Sequence, residues 1–306
     1  MAMKLTIGPI PFHWSNERRL DFYARIADEA PVDEVYLGEV ICSKRAPFFE
    51  PHLEEVAARL QRAGKRVIFS SLTEVMLKRE RQATEELCAM EDREIEVNNA
   101  AGLASAGGRA HRIGPMMNVY NEETMRWLAG RGAAHFALPV EMPRASVAVM
   151  AETAGELGTG LEVQLFGRAS LAVSARCYHA RAHGRTKDSC QFVCEEDPDG
   201  MSLKTLDGQP FLTVNGIQTM SHSYINLIGE LGDMQALGVT HGRLVPHSTD
   251  MVAVARAFRD VLDGRISPAE GQAALQALDL PAPFSNGFWH GVAGHRRLAD
   301  RAASAA

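Results

Sequence analysis

One stretch of the chain, residues 161–200, indicates both the fold and the chemistry; it reads LEVQLFGRASLAVSARCYHARAHGRTKDSCQFVCEEDPDG. It begins with an apolar run, residues 161–166, of the kind found in the buried strands of parallel sheets. A polar loop follows and holds three of the five cysteines, Cys177, Cys190 and Cys194. Because free cysteine usually behaves as a small buried side chain, cysteines crowded on a polar loop predict a disulfide, a redox pair, a zinc site or an iron–sulfur cluster.

The rest of the chain repeats the alternation of a short apolar run with a segment of helical periodicity. Strands are predicted at residues 5–7, 32–40, 66–71, 94–99, 110–115, 134–139, 161–166 and 242–246. Helices are predicted at residues 15–30, 51–64, 74–90, directly after 99, and at 121–130, 144–157, 224–237 and 250–262. This alternation predicts an α/β fold, a (β/α)8 TIM-barrel-like domain that is complete or distorted. An open doubly wound sheet is the alternative, but no glycine-rich phosphate loop follows the first strand.

The barrel is expected to occupy residues 1–266, with the cysteine-rich loop at residues 167–210 and a small hairpin strand at residues 211–216. Residues 267–306 are predicted to form a C-terminal extension. The motif SNGFWHG, residues 285–291, lies in this extension. It is interpreted as a lid over one end of the barrel or as a surface for a partner, since exposed aromatic residues favour interfaces.

The composition of the chain limits the binding partners and the roles of the cysteines that can be expected. The chain has 306 residues, of which 46% are hydrophobic and 23% charged, which is ordinary for a globular protein with a sizeable core. The formal net charge of −6 gives no general attraction to nucleic acid or anionic lipid. The sequence shows neither a secretory leader nor a run of about 18 apolar residues, so a cytoplasmic location is expected. Thiols stay reduced there and five cysteines cannot all pair, which favours a metal-binding or catalytic role over a disulfide framework.

Placement on a barrel would bring four cysteines to one face. Active sites lie at the carboxyl ends of barrel strands; Cys42 follows the second predicted strand, and Cys177, Cys190 and Cys194 follow the seventh. Four thiolates meet the ligand requirement of a [4Fe–4S] cluster. A structural zinc site is the alternative, although the three residues between Cys190 and Cys194 depart from the more usual spacer of two. Cys88 lies within a predicted helix and is expected to be part of the core.

Further polar side chains at the predicted strand ends are candidates either for a substrate pocket or for loop capping. They are Glu39, Ser71, Asn98, Asn99, Asn118, Glu141 and Arg168. His179 and His183 lie four residues apart, and are interpreted either as solvated loop residues or as part of a Cys2His2 zinc site. The sequence assigns no residue a catalytic role.

Several motifs together resemble the collagenase-like peptidase family, in particular its iron–sulfur branch in ubiquinone biosynthesis. They are GRASLAVSARC ending at Cys177, the later Cys190 and Cys194, LGEVIC at residues 37–42, and NGFWH at residues 286–290. The resemblance runs almost end to end and implies a [4Fe–4S] cluster on Cys42, Cys177, Cys190 and Cys194. It implies a heterodimer with a homologous UbiU-type subunit that holds its own cluster, and a lipid-binding accessory protein. The implied activity is oxygen-independent hydroxylation of a prenylated aromatic quinone precursor, with prephenate implicated as the oxygen donor.

Within that activity, the basic residues Arg168, Arg176, Arg181 and Arg185 would offset the negative charge of a cluster or bind a carboxylated oxygen donor; the alternative is a solvated basic face. Four cysteine ligands leave no iron position open, so electron transfer or redox support is expected of this subunit. A zinc-stapled barrel acting as a peptidase-like hydrolase or as a binding scaffold is the alternative. Neither a GxSxG nor an HExxH motif is present to support hydrolysis.

Overall fold

The computed structural model describes residues 3–298, which are built around a barrel of parallel strands. The strands of this part of the chain are β1 (Lys4–Ile7), β2 (Glu34–Leu37), β3 (Arg66–Ser70), β4 (Ile95–Val97), β5 (His111–Ile113), β6 (Ala133–Ala137), β7 (Gly160–Val173), β8 (Met201–Lys204), β9 (Pro210–Asn215), β10 (Gln218–Asn226), β11 (His241–Leu244) and β12 (Phe284–Ser285). β1 to β7 pair in parallel in chain order, and β11 pairs with both β7 and β1. Because His241 lies opposite Lys4 on one side and Glu162 on the other, the barrel is closed. The predicted (β/α)8 fold is confirmed, and the open sheet is wrong.

Helices follow the barrel strands and surround the barrel, as this fold requires. They are α1 (Asn16–Glu29), α2 (Ala46–Phe49), α3 (Leu53–Arg62), α4 (Lys78–Ala89), α5 (Ala100–Ala106), α6 (Glu122–Ala129), α7 (Arg144–Leu157), α8 (Tyr178–Ala182), α9 (Leu231–Leu237), α10 (Met251–Leu262) and α11 (Pro268–Gln276). Ser15 and Asn121 cap α1 and α6 by accepting hydrogen bonds from backbone amides of the first turn. None of the helices in residues 3–298 is long and apolar enough to cross a membrane.

β7 is longer than predicted and changes partners along its length. Its first half lies in the barrel, whereas its second half pairs antiparallel with β10, where Val173 lies opposite Gln218. Gly167, with φ of 108°, lies where β7 leaves β11 and continues beside β10. β9 and β8 extend this second part of the sheet, and β9 confirms the predicted hairpin strand. The prediction that the strand ends at residue 166 is therefore wrong, and the cysteine loop begins only after residue 173.

The helix predicted at residues 224–237 is wrong in its first half, because residues 218–226 form β10. A 3₁₀ turn follows at residues 228–230, and the α-helix α9 begins only at Leu231. β10 lies between β7 and β9, and residues 223–226 are all buried. A strand buried on both faces loses the alternation of polar and apolar residues that would have indicated it. α4 also begins at Lys78 rather than at residue 74.

The barrel interior holds a network of buried charges that the sequence analysis did not predict. Arg243 Nη2 donates to Glu162 Oε2 over 2.6 Å and also pairs with Glu96. Arg112 Nη1 donates to Glu34 Oε2 over 2.6 Å. Each of these side chains therefore has an opposite charge beside it, which offsets part of the cost of burying it. Glu96 and Arg243 also line the cavity at the mouth of the barrel.

Candidate metal centre and barrel cleft

The four cysteines singled out from the sequence line one small cavity. Cys42 immediately precedes a 3₁₀ turn (Ser43–Arg45), and Cys194 lies in another (Val193–Glu195). Cys177 caps α8, its sulfur accepting a hydrogen bond from the Ala180 amide over 3.4 Å. Cys42 is half-buried and the other three are buried. The structure thus brings the segment after β2 and the loop after β7 together at their cysteines.

Glu39, a predicted strand-end candidate, fixes the backbone next to Cys42. Its Oε1 accepts hydrogen bonds from the amides of Ile41 and Cys42, each over 3.0 Å. Its other oxygen pairs with Arg19 Nη2 over 3.5 Å, and both side chains are buried. Glu39 therefore holds the Cys42 turn in place and does not line the cysteine cavity.

Two basic side chains that the sequence analysis missed border the sulfurs. Lys44 Nζ lies 3.6 Å from Cys190 Sγ. Arg45 is 1% exposed and lines the same cavity. Burial raises the pKa of the Cys42 and Cys194 thiols, and the Arg45 guanidinium opposes this rise in both. The sequence signal for both residues was their position directly after Cys42, in CSKR.

The arginines predicted near the cysteines are placed in three different environments. Arg185 Nη1 donates to the Cys190 carbonyl over 3.1 Å and so supports the loop. Arg176 and Arg181 are exposed, which agrees with the interpretation of a solvated basic face. Arg168 lies in the barrel mouth, away from the cysteine cavity.

The spacing of the sulfurs bears on which ligand they could hold. Four thiolates around one tetrahedral zinc ion, at about 2.3 Å each, lie roughly 3.8 Å apart. Across residues 3–298, the one set of three or more His, Cys, Asp or Glu side chains with ligand atoms all within 4.8 Å of one another is His179, His183 and Asp197. No three of the four sulfurs meet that limit. In this arrangement the cysteines are spaced more widely than the ligands of a single zinc ion. Four thiolates are also the donor set that a four-iron cluster uses.

His179 and His183 form a possible metal-binding triad with Asp197 rather than a Cys2His2 site. His179 Nε2 lies 2.9 Å from Asp197 Oδ2, and the two imidazole rings are stacked with centroids 5.7 Å apart. His179 is buried, and its Nδ1 has no hydrogen-bond partner. No thiol of the described residues therefore lies within hydrogen-bonding reach of this nitrogen.

A separate cleft of about 560 Å³ gathers most of the other strand-end candidates. Asn98, Asn99, Asn118 and Glu141 all line it. Ser71 lies behind the cleft, where its hydroxyl accepts a hydrogen bond from the Asn98 amide over 3.0 Å. Asn99 additionally caps α5 by accepting from the Ala101 amide. These residues thus line the cleft or support the backbone beside it, and Asn99 does both.

Arg168 lines a cavity of about 80 Å³ at the barrel mouth, which shares Asn98 and Ser170 with the larger cleft. Its Nη1 donates to the Ser221 carbonyl over 3.0 Å, and its guanidinium carbon lies 4.5 Å from the centre of the Tyr224 ring. It is 7% exposed, its Nε has no partner, and within the described chain no carboxylate forms an ion pair with it. A buried cation without a counter-charge is costly, so the barrel mouth is suited to an anionic group.

The closed barrel with its thiol-lined cavity defines this chain as a (β/α)8 protein with a candidate metal centre. The model of peptidase family U32 matches residues 23–298, so the chain belongs to that family.

Solved structures that resemble the chain include ribulose-1,5-bisphosphate carboxylase/oxygenase (Rubisco) of Pyrococcus horikoshii OT3 in two crystal forms. The octamer with sulfate is 13% identical, with a TM-score of 0.37 over 91% of this chain and 63% of that one. The other form is 12% identical, with a TM-score of 0.31 over 90% of this chain and 64% of that one. The chain thus spans somewhat less than two thirds of these proteins, and likeness at this level indicates nothing about activity.

Proposed function

We propose that this member of peptidase family U32 is an iron–sulfur protein that holds a [4Fe–4S] cluster on Cys42, Cys177, Cys190 and Cys194. The observation that carries the proposal is that these four thiols line one cavity and yet are spaced more widely than the ligands of one zinc ion. The donor set is the one that such clusters use. When bound, the cluster would supply one-electron transfer.

The side chains around the cavity are suited to that role. Val40, Ile41 and Ile217 pack with the cysteines in an apolar cluster separate from the main core. These residues would limit water at the sulfurs, and solvent exposure is one determinant of reduction potential. Lys44 and Arg45 would offset part of the negative charge of four thiolates.

The sequence motifs support a more specific proposal, that the chain is a UbiV-type subunit for oxygen-independent hydroxylation of a prenylated quinone precursor. In this proposal it works in the cytoplasm with a UbiU-type homologous subunit and a lipid-binding accessory protein, and its own part is electron transfer or redox support. The cleft with Asn98 and Glu141, and the barrel mouth with Arg168, are the sites that we propose for the substrate or the oxygen donor. The mouth is lined by Met116 and Met220, which suits an apolar ring.

The cluster is tested by anaerobic purification followed by absorption and EPR spectra and by iron, sulfide and zinc analysis. Cys177→Ala is the test variant, and Cys88→Ala is the matched control because Cys88 is buried in α4 outside the cavity. We expect wild type and Cys88→Ala to be brown, with about four iron and four sulfide per chain. We expect Cys177→Ala to lose both. A colourless wild-type protein with one zinc per chain would contradict the cluster and favour the zinc-stapled hydrolase or scaffold.

The partner is tested by co-expression with a UbiU-type homologue from the same genome. We expect the two chains to co-elute as a heterodimer in size-exclusion chromatography. Separate elution at micromolar concentration would argue against a stable UbiV-type complex while leaving the cluster assignment intact.

A further inference from the structure

Arg45 is the most deeply buried charged side chain at the cysteine cavity, and its position is fixed on two sides. Its Nη1 donates to the Pro11 carbonyl over 2.9 Å, and its Nη2 donates to Asn215 Oδ1 over 2.9 Å. Asn215 Nδ2 in turn donates to the same Pro11 carbonyl over 2.6 Å. The guanidinium is therefore held by neutral oxygens from the first barrel loop and from β9.

The backbone leaves room for this guanidinium beside the sulfurs. Gly216 has φ of 62°, and a Cβ at that position would lie 2.7 Å from Arg45 Nη2. On the other side, Arg45 lines the same cavity as Cys194 and Cys42, and its charge acts on both. Arg45 thus lies between a glycine that makes space for it and two of the four candidate ligands.

The positive charge of Arg45 is not neutralised by an ion pair within residues 3–298. In the described part of the chain no Asp or Glu forms an ion pair with Arg45, and the nearby Glu39 pairs with Arg19 instead. The Nε of Arg45 is buried and has no hydrogen-bond partner. Burying an unpaired charge costs far more than neutral hydrogen bonds recover, so the fold places a cation where an anionic group is expected.

We propose that Arg45 is a positioning residue that supplies the counter-charge of the cysteine-bound cluster and raises its reduction potential. This inference rests on the proposed iron–sulfur function. A fixed positive charge beside a cluster stabilises the more negative, reduced state. The buried side chain acts without screening by solvent, unlike the arginines on the surface of the same loop.

The test is the midpoint potential of the cluster, measured by anaerobic redox titration followed by EPR. Arg45→Gln removes the charge, whereas Arg45→Lys keeps the charge but replaces the planar guanidinium group. Arg181→Gln is the control, because it removes a positive charge from an exposed position in α8. We expect Arg45→Gln to shift the reduction equilibrium at least tenfold toward the oxidised state, about 59 mV more negative for one electron. We expect Arg181→Gln to match wild type and Arg45→Lys to stay closer to wild type than Arg45→Gln.

The three variants separate an electrostatic role from a structural one. Thermal unfolding of the same samples reports the loss of the Pro11 and Asn215 contacts, which should destabilise Arg45→Gln and Arg45→Lys alike. A potential that is unchanged in cluster-loaded Arg45→Gln overturns the inference and leaves the iron–sulfur function standing. The inference is also overturned if Arg45→Gln and Arg45→Lys shift the potential equally. Wild-type protein that binds no iron overturns both the inference and the function on which it rests.

Discussion

We expect one buried imidazole inside the barrel to contribute to a dependence of the stability of the fold on pH. His135 Nε2 lies 3.2 Å from Glu162 Oε2, and burial lowers the pKa of His135 from 6.5 to about 4. As the pH falls below 6.5 the unfolded chain binds a proton that the folded chain does not, so stability is full above pH 6.5 and is lost between pH 6.5 and 4. The loss from this one group is about 3 kcal/mol.

We therefore expect the urea midpoint to fall between pH 7 and pH 5, and to fall less in His135→Gln than in wild type. His13 and His247, whose pKa values are also lowered to about 4, act in the same direction and contribute to the part of the fall that remains. Equal pH dependence in wild type and variant would show that His135 is protonated in the folded protein.

The cysteines could be recognised from the sequence, whereas the charges around them could not. Cysteines on a polar loop are unusual at the level of composition, so Cys177 and its neighbours were visible without a structure. Arg45 was not, because arginine is almost never fully buried unless it is paired. Its partner Asn215 lies 170 positions further along the chain. A contact of that range leaves no local pattern, and the same holds for Arg243 and Glu162 inside the barrel.

At the scale of elements, β7 shows what hydrophobic pattern can and cannot predict. The run at residues 161–166 was recognisable as a strand because it is apolar and short. Its continuation to Val173 and its pairing with β10 depend on a partner more than forty residues away, so neither strand end could be predicted. β7, the strand that leads from the barrel to the cysteine loop, was therefore the strand whose length and pairing the sequence predicted least completely.

Gly167 allows β7 to pass from the barrel to the antiparallel strands. Its φ is 108°, and a Cβ there would lie 2.8 Å from the Cβ of Val245 and 2.9 Å from Cε1 of His247. Because both the backbone conformation and the space exclude a side chain, we expect Gly167→Ala to lower the free energy of unfolding by about 2–4 kcal/mol. Urea unfolding followed by circular dichroism measures the change.

Gly155→Ala is the matched control for this prediction. Gly155 lies in α7 with nothing within 4 Å of an added Cβ, and its φ is not positive. The same substitution should therefore stabilise the protein by about 0.4–1 kcal/mol, because alanine restricts the unfolded chain. Equal effects at the two positions would contradict the role given to Gly167.

At the scale of the whole molecule, the alternation of strands and helices was enough to predict the closed barrel, and the carboxyl-end rule was enough to expect Cys42 near the cysteine loop. Which candidate residues line the barrel mouth and which line the cysteine cavity was not predictable. Arg168 and Cys177 are nine residues apart in the chain, yet β7 places one in the barrel mouth and the other in the cysteine cavity. Val40 and Ile41 line the barrel mouth and pack in the same apolar cluster as Cys177 and Cys190.

This arrangement predicts that removal of iron loosens the cysteine loop and leaves the barrel folded. In residues 174–200 the regular structure is limited to α8 and one 3₁₀ turn, and their apolar contacts form a small cluster separate from the barrel core. The proposed cluster would tie this loop to the Cys42 segment, so we expect amide exchange in residues 174–200 to become at least about tenfold faster after chelation. Exchange in β1–β6 should not change.

Cys177→Ala, which lacks a ligand, should resemble the chelated wild type before and after treatment. Faster exchange throughout the barrel would instead show that the cysteine site is part of the global folding unit, and unchanged exchange in the loop would show that its order is independent of iron.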